Sequence, residues 1–190
     1  MDEEYYKAEI RSRLGDRRYE HSLNVAKSAV ALAEKYGGDT EKARTAGLLH
    51  DILKELPKDE MKNYITAKAV LSPYEENCSN VWHQIADALF VKENYGLDGD
   101  IINAIRYHTT ARANMSLLEK IIYIADFISD ERTYPDVDVM RTLAFISLDD
   151  AMLYALKYTI KSLCDRNLPI HPDTAAAYNE IILVRTKNVK

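Results

Sequence analysis

Apolar residues recur every three or four positions along most of the chain, which predicts a series of amphipathic α-helices. The stretch 16–36 shows the pattern clearly, with Ala26, Ala29 and Ala33 on one face and Gly37 at its end. We predict helices over 3–14, 16–36, 40–53, 58–68, 80–94, 98–108, 116–130, 148–166 and 173–187.

Residues typical of helix N-termini mark several of these starts. Two of the signals are capping boxes, in which a serine precedes a glutamate by three positions. The signals are Asp39, Ser72 with Glu75, Ser116 with Glu119, Ser147, and Pro172. A loop containing Tyr134-Pro135-Asp136 separates the helices 116–130 and 148–166.

Composition favours a helical protein over a β-protein. Six glycines and five prolines in 190 residues are too few for the many tight turns of a sandwich or barrel. Hydrophobic residues make up 47% and charged residues 29%, which is ordinary for a globular chain. We therefore expect one all-α domain over residues 1–190, with its functional site between helices.

Charge and cysteine content exclude several classes of function. The net charge is -5 and the basic residues are scattered, so duplex nucleic acid is not an expected partner. Cys78 and Cys164 are far apart and form neither a zinc ribbon nor a disulfide framework. The acidic N-terminus has no signal-peptide pattern and no segment has 18 uninterrupted apolar residues. We expect a cytoplasmic protein without a membrane partner, and leave open whether it is a homodimer.

The pair His50-Asp51 is the sharpest chemical anomaly. It lies in the otherwise apolar run 46–53, which is expected to be buried on all sides. A carboxylate and an imidazole inside a core are costly unless they are paired or bind a metal. The pair alone is equally consistent with a hydrogen-bonded structural pair and with metal ligation.

The remaining histidines favour a metal site. His21, His83 and His108 each fall on a helix of their own, and Asp126 lies at the edge of an apolar helix face. Any one of them alone would be an ordinary core or surface residue. Together with His50-Asp51 they form a set of imidazoles and carboxylates that suits iron, manganese, zinc and related divalent ions.

The ordered set His…His-Asp…Asp resembles the HD-domain metal phosphohydrolases. The short sequence motifs around these residues resemble one branch of that family in particular, the YqeK-type symmetrical bis(5'-nucleosyl)-tetraphosphatases, and the resemblance covers essentially the whole chain. These motifs are Arg18-Tyr19-Glu20-His21-Ser22, Leu48-Leu49-His50-Asp51-Ile52-Leu53-Lys54, His108-Thr109-Thr110, Ala125-Asp126-Phe127-Ile128, Arg132-Thr133-Tyr134-Pro135 and Leu168-Pro169-Ile170-His171-Pro172-Asp173-Thr174.

The resemblance implies an HD-domain helical bundle that hydrolyses diadenosine tetraphosphate to two ADP. It implies that His21, His50, Asp51 and Asp126 are metal ligands, with iron as the expected ion and manganese or another divalent ion as the alternative. His83 and the histidine at 108 either hold a second ion or face the phosphates. We expect the phosphate role, because we expect no further carboxylate beside either histidine to complete a second set of ligands, and because two threonines follow the second one.

Substrate contacts are expected from basic and hydroxyl side chains beside these ligands. Lys54, one turn beyond Asp51, and Arg132 suit phosphate oxygens, as does Arg18. Each could instead be a solvated surface charge. The resemblance adds Thr109 and the segment Ile170, His171, Pro172, Asp173 and Thr174. His171 could equally be a helix-start residue without a ligand.

The expected catalytic residues are Asp51, Lys54 and Asp126. Either carboxylate steers the proton of the attacking water, and the lysine holds a phosphate oxygen. Two positions depart from the family pattern, because Gln84 stands where a glycine follows the third histidine and Ala111 replaces a glycine after the two threonines. Both changes are expected to add bulk near the nucleotide. The alternatives are an HD phosphohydrolase with another nucleotide substrate, a metal-dependent nucleotide sensor, and a helical scaffold.

Overall fold

The computed structural model describes residues 3–187, and within this range it contains only helices and the turns that join them. The prediction of an all-α fold is confirmed. The α-helices are α1 (Glu3–Arg11), α2 (Asp16–Tyr36), α3 (Thr40–Leu49), α4 (Lys58–Thr66), α5 (Pro73–Asn77), α6 (Trp82–Tyr95), α7 (Gly99–Arg106), α8 (Leu117–Ile128), α9 (Val137–Ile146), α10 (Leu148–Asp165) and α11 (Pro172–Lys187), with a 3-10 turn (Ser79–Val81) before α6.

Local signals place most of the helix ends where the sequence predicts them. Gly37 ends α2 in the left-handed conformation, at φ 70°. Asp39 caps α3 by accepting hydrogen bonds from the two backbone N–H groups of Glu41 and Lys42. Both predicted capping boxes form, at the starts of α5 and α8. These side chains satisfy N–H groups that a helix start leaves unpaired.

The structure departs most from the predicted helices in two places. The helix predicted over 40–53 ends at Leu49, and the chain turns through residues 50–55. The run 46–53 is nevertheless buried throughout, as expected. A further helix, α9, lies in a region that the sequence analysis left unassigned. It begins after Asp136, which takes a left-handed conformation at φ 67° and redirects the chain.

Helix α8 is central to the bundle, where it packs against α2, α3, α7 and α10. Its consecutive residues Ile121, Ile122, Tyr123 and Ile124 are all fully buried. Burying each aliphatic side chain of this kind contributes about 1.5–3 kcal/mol, so α8 is firmly held. The last turn of α8 carries Asp126, which is therefore presented from a rigid element.

Helices α2 and α3 approach most closely at Gly47. A Cβ atom at this position would lie 2.6 Å from the backbone Cα of Ala26, so only glycine fits without moving a helix. His21 lies on α2 and His50 directly follows α3. The close packing at Gly47 therefore sets the separation of these two imidazoles.

Among residues 3–187, no helix is both long and apolar enough to cross a membrane.

Candidate metal centre

Four side chains from three parts of the bundle converge on one point. The Nε2 atom of His21 lies 3.3 Å from Nε2 of His50 and 3.2 Å from Oδ1 of Asp126. Oδ2 of Asp51 is 3.5 Å from Nε2 of His50 and 3.8 Å from Nε2 of His21. Two overlapping groups of donor atoms therefore lie within 4.8 Å of one another, one from His21, His50 and Asp126 and one from His50, Asp51 and His108, and either could hold a cation.

The other oxygen of Asp51 faces a second pair of histidines. Oδ1 lies 3.6 Å from Nε2 of His83 and 3.5 Å from Nε2 of His108, and these two nitrogens are 3.1 Å apart. Asp51 is therefore the carboxylate that the two pairs of histidines share. Asp51 is distant from them in sequence, but the turn after α3 places its carboxylate between the two pairs of imidazoles.

Hydrogen bonds at Nδ1 orient three of the four imidazoles. His50 donates from Nδ1 to the carbonyl oxygen of Gly47 (2.8 Å) and His108 to that of Ile105 (2.8 Å). Nδ1 of His21 bonds to the Glu131 carboxylate. Each of these bonds turns the Nε2 atom toward the centre, as in most histidines that bind metals. Nδ1 of His83 has no partner among the described residues.

The charges of the cluster are set by burial and by close pairs. Burial lowers the pKa of His50 to about 3, so its imidazole is neutral. Burial alone would raise the pKa of Asp51, but His50 and Lys54 outweigh it and hold the pKa well below the usual range. The His21 hydrogen bond and the Arg132 charge likewise lower the pKa of Asp126. Both carboxylates are therefore ionised near neutral pH.

A divalent cation fits this donor set. Oδ1 of Asp51 is buried and accepts no hydrogen bond from residues 3–187. The Nε2 atoms of His21 and His50 face each other at 3.3 Å, so two imidazole nitrogens converge beside this oxygen. A buried carboxylate oxygen without a hydrogen-bond donor is costly, and a bound metal removes that cost.

Basic side chains surround the centre. Nη1 of Arg18 contacts Oδ2 of Asp51 at 2.7 Å, and the guanidinium of Arg132 pairs with Asp126. Nζ of Lys54 lies 2.7 Å from Nε2 of His83 and 3.4 Å from Oδ1 of Asp51. None of the three is a free surface charge in the structure.

The predicted C-terminal segment adjoins the turn that carries Thr109. Thr109 Oγ1 lies 2.9 Å from Nε2 of His83, and the carbonyl of the next residue accepts a hydrogen bond from Oγ1 of Thr174 (2.7 Å). His171 is buried, and its Nδ1 accepts from the backbone N–H of Asp173 (3.1 Å). Ile170 and Asp173 are partly buried, and Pro172 is exposed.

Sequence analysis missed Glu131. Its carboxylate bonds to Nδ1 of His21 and accepts from Asn24 Nδ2 (2.8 Å) and Ser129 Oγ (2.7 Å). These bonds lower its pKa to about 2, against the opposing effect of burial. The only sequence signal for Glu131 was its place directly before Arg132, and an acidic residue in such a turn is typically solvated.

Asp87 was also missed. It is fully buried one turn after His83, and its Oδ1 accepts from the backbone N–H of Leu53 at 2.7 Å. Burial raises its pKa well above the usual range. Asp87 fixes the turn that carries Asp51 and Lys54, and its position in an otherwise apolar stretch of α6 was the available signal.

The two residues that depart from the family pattern lie in the packed interior, and one of them contacts the turn that carries Thr109. Gln84 and Ala111 are both fully buried, so the bulk they add is in the packed interior rather than in an open pocket. Oε1 of Gln84 accepts from the backbone N–H groups of Thr109 (3.1 Å) and Thr110 (3.3 Å). Ala111 has φ 57°, a left-handed conformation that costs an alanine about 1–2 kcal/mol.

Comparison with known proteins identifies the arrangement. The family model of the HD domain matches residues 18–129. The chain belongs to the HD-domain family. It is 38% identical to the symmetrical bis(5'-nucleosyl)-tetraphosphatase of Bacillus subtilis, over 96% of this chain and 98% of that protein. It is 40% identical to the protein of the same name from Halalkalibacterium halodurans, over 92% and 94%.

A solved structure from Clostridium acetobutylicum has the same fold as this HD-domain chain. It is described as a predicted HD superfamily hydrolase involved in NAD metabolism. It superposes with a TM-score of 0.92 at 40% identity, over 96% of this chain and 97% of that one. These matches confirm the resemblance inferred from the motif words and the expectation that the chain is an enzyme.

Proposed function

We propose that this HD-domain protein hydrolyses diadenosine tetraphosphate symmetrically to two ADP. The observation that carries the proposal is the convergence of His21, His50, Asp51 and Asp126 into a buried donor set ringed by cations. Similarity to the symmetrical tetraphosphatases over nearly the full chain supports the choice of substrate.

The same four side chains would hold a divalent metal ion, for which we propose iron, with manganese as the alternative. Imidazole nitrogens and carboxylate oxygens suit both ions. When bound, such an ion lowers the pKa of water and polarises a phosphoryl oxygen.

The protein's own contribution is to neutralise and orient the phosphates. Three basic side chains contact the carboxylates of the centre, namely Lys54, Arg18 and Arg132. They can donate hydrogen bonds to the non-bridging phosphate oxygens as negative charge builds up on those oxygens. The planar guanidiniums allow two parallel hydrogen bonds, and the ammonium acts as a point charge.

Asp51 and Asp126 are the groups that can orient the attacking water. Oδ1 of Asp51 has no hydrogen-bond donor among the described residues, so it is free to accept one from water. Both carboxylates are ionised and cannot act as acids at neutral pH. The leaving nucleoside diphosphate needs little protonation, so a strong general acid is not required.

We assign His83 and His108 to the phosphates rather than to a second ion. The Lys54 ammonium already lies 2.7 Å from Nε2 of His83, where a second cation would be repelled. Nδ1 of His83 also lacks the acceptor that orients the other three imidazoles. Thr109 Oγ1 lies 2.9 Å from the same Nε2, and its hydroxyl group adds a donor that suits a phosphate oxygen.

The segment 170–174 is proposed to contact the nucleoside on this side of the centre. Thr174 ties the segment to the turn that follows the second pair of histidines, through its bond to the Thr110 carbonyl. The start of α11 supplies backbone N–H groups that suit an anion or a base edge.

Metal analysis followed by product identification tests the proposal. Anaerobically purified protein should contain about one metal per chain, and should convert diadenosine tetraphosphate to ADP alone in isotope-labelled water, with label in the ADP. Asp51→Asn should lose both metal and activity, whereas His108→Ala should keep the metal and lose turnover. AMP plus ATP as products, or hydrolysis only of other nucleotides, would refute the proposed function. About two ions per chain, falling to one in His108→Ala, would refute the single-metal assignment.

A further inference from the structure

A cavity of about 330 Å³ opens beside His21. Its wall includes Glu131 and five side chains that are not metal ligands, namely Arg17, Arg18, Arg132, Thr133 and Tyr134. It lies on the Oδ2 side of Asp51, since Oδ2 contacts Arg18 and His21, whereas Oδ1 faces Lys54 and the second pair of histidines. The volume falls in the range of small-molecule sites, roughly 300–1,000 Å³.

Three guanidiniums on one cavity indicate an anionic ligand, in a chain whose net charge is -5. Arg18 and Arg132 are paired with the carboxylates of Asp51 and Asp126. Arg17 is exposed and makes no hydrogen bond or ion pair with any residue in the range 3–187. Its fork of donors is therefore free for phosphate oxygens.

Tyr134 supplies a fixed aromatic wall to the same cavity. Its hydroxyl donates to the carbonyl oxygen of Phe127 (3.1 Å), and its ring packs against the rings of Phe127 and Tyr158. The polar end of the side chain is thus occupied and the ring is held in place. An aromatic ring beside guanidiniums is the combination on which nucleobases stack.

A symmetrical substrate requires two such places. Water adds to one inner phosphorus, the bridging oxygen departs with its electron pair on the other half, and the water proton passes to solvent or to that oxygen. Both halves must be held while this bond breaks. The proposed function assigns the contacts with one half to Lys54, Thr109 and the segment 170–174, all of which lie on the Oδ1 side of Asp51.

We propose that the cavity binds the leaving nucleoside diphosphate half, with Arg17 on its phosphates and Tyr134 against its base. The inference rests on the proposed function and adds to it the site of the second half. Arg17 and Tyr134 thereby become residues that determine specificity for a dinucleotide.

Two substrates separate the contributions of the two residues. Diadenosine tetraphosphate carries both adenosines, whereas adenosine 5'-tetraphosphate presents only a bare diphosphate to the cavity. Tyr134→Leu should lower kcat/KM about tenfold on the dinucleotide and leave the mononucleotide unchanged, because only the first has a base to stack. Arg17→Ala should lower kcat/KM about tenfold on both, because both present phosphate.

Matched variants serve as controls. Tyr134→Phe keeps the ring but loses the bond to the Phe127 carbonyl, so it should recover most of the kcat/KM that Tyr134→Leu loses on the dinucleotide. Lys27→Ala removes another exposed cation of α2, which pairs with Asp130 outside the cavity, and should leave both substrates unaffected. All four variants should keep wild-type metal content and a cooperative thermal unfolding transition.

The inference is overturned if the wild-type protein yields two ADP and Arg17→Ala has an unchanged kcat/KM. It is also overturned if Tyr134→Leu loses the same factor in kcat/KM on both substrates. Failure of the wild-type protein to form ADP from the dinucleotide would instead refute the proposed function, so the two failures are distinguishable.

Discussion

Removing the charge of Glu131 should weaken metal binding without breaking the fold. Glu131→Gln keeps the size of the side chain and an oxygen that can accept from Nδ1 of His21. It loses the negative charge that makes this imidazole a stronger ligand. The same side chain also holds Asn24 and Ser129, and the amide can retain only part of these bonds.

The size of the effect follows from the strength of these interactions. The pKa of Glu131 is about 2, against 4.5 for the free side chain, and one pH unit of lowering corresponds to about 1.4 kcal/mol. The carboxylate is 36% exposed, so solvent screening removes a large part of that energy. The remaining energy is shared among His21, Asn24, Ser129 and a backbone N–H group, so it does not convert directly into metal affinity. Loss of such a partner of a ligating histidine typically weakens metal binding 10- to 100-fold, and the partial exposure of Glu131 favours the lower end, about tenfold.

Competition with a chelator of known affinity measures this change directly. Asp130→Asn is the matched control, because it removes the neighbouring carboxylate, which pairs with Lys27 at 2.8 Å. The reasoning is refuted if Glu131→Gln binds metal within twofold of wild type, or if Asp130→Asn weakens binding as much.

Three further predictions concern the framework of the site. Gly47→Ala should lower the free energy of unfolding by about 1–3 kcal/mol in denaturant titrations and weaken metal binding, because the new Cβ meets the α2 backbone at 2.6 Å. Gln84→Leu should cost about 2–4 kcal/mol by orphaning the two N–H groups of the Thr109 turn. Burial lowers the pKa of His171 despite nearby carboxylates (Glu75, Asp173) and with help from Arg106. The neutral imidazole therefore contributes its full stability above pH 6.5, and this stability is lost as the pH falls below that value. The free energy of unfolding of His171→Gln should change less between pH 7 and pH 5 than that of the wild-type protein.

Interactions between neighbours in the chain explain what could be predicted. Helix periodicity, the glycine that ends α2 and the serine–glutamate capping boxes all act within four residues, so their outcome can be read from sequence. The exception is instructive, because α3 ends at Leu49 although the apolar pattern continues to Leu53. Burial of the whole run made a helix and a buried turn indistinguishable by pattern.

Contacts between distant segments explain what could not be predicted. Glu131 reaches His21 across 110 residues, and no local pattern marks such a partner. The two oxygens of Asp51 face different pairs of histidines, which only the packing of α2, α3, α6 and α8 decides. The role of Gln84 likewise depends on a turn 25 residues away.

The sequence by itself determined the helical class and the residue types of the centre, because both depend on composition and on short-range spacing. The tertiary structure decided which oxygen faces which imidazole, that Lys54 lies against His83, and that Arg17 is left unpaired beside a cavity. These features arise from the packing of helices that are far apart in the chain, and such packing is fixed by the complementarity of whole surfaces rather than by any single segment.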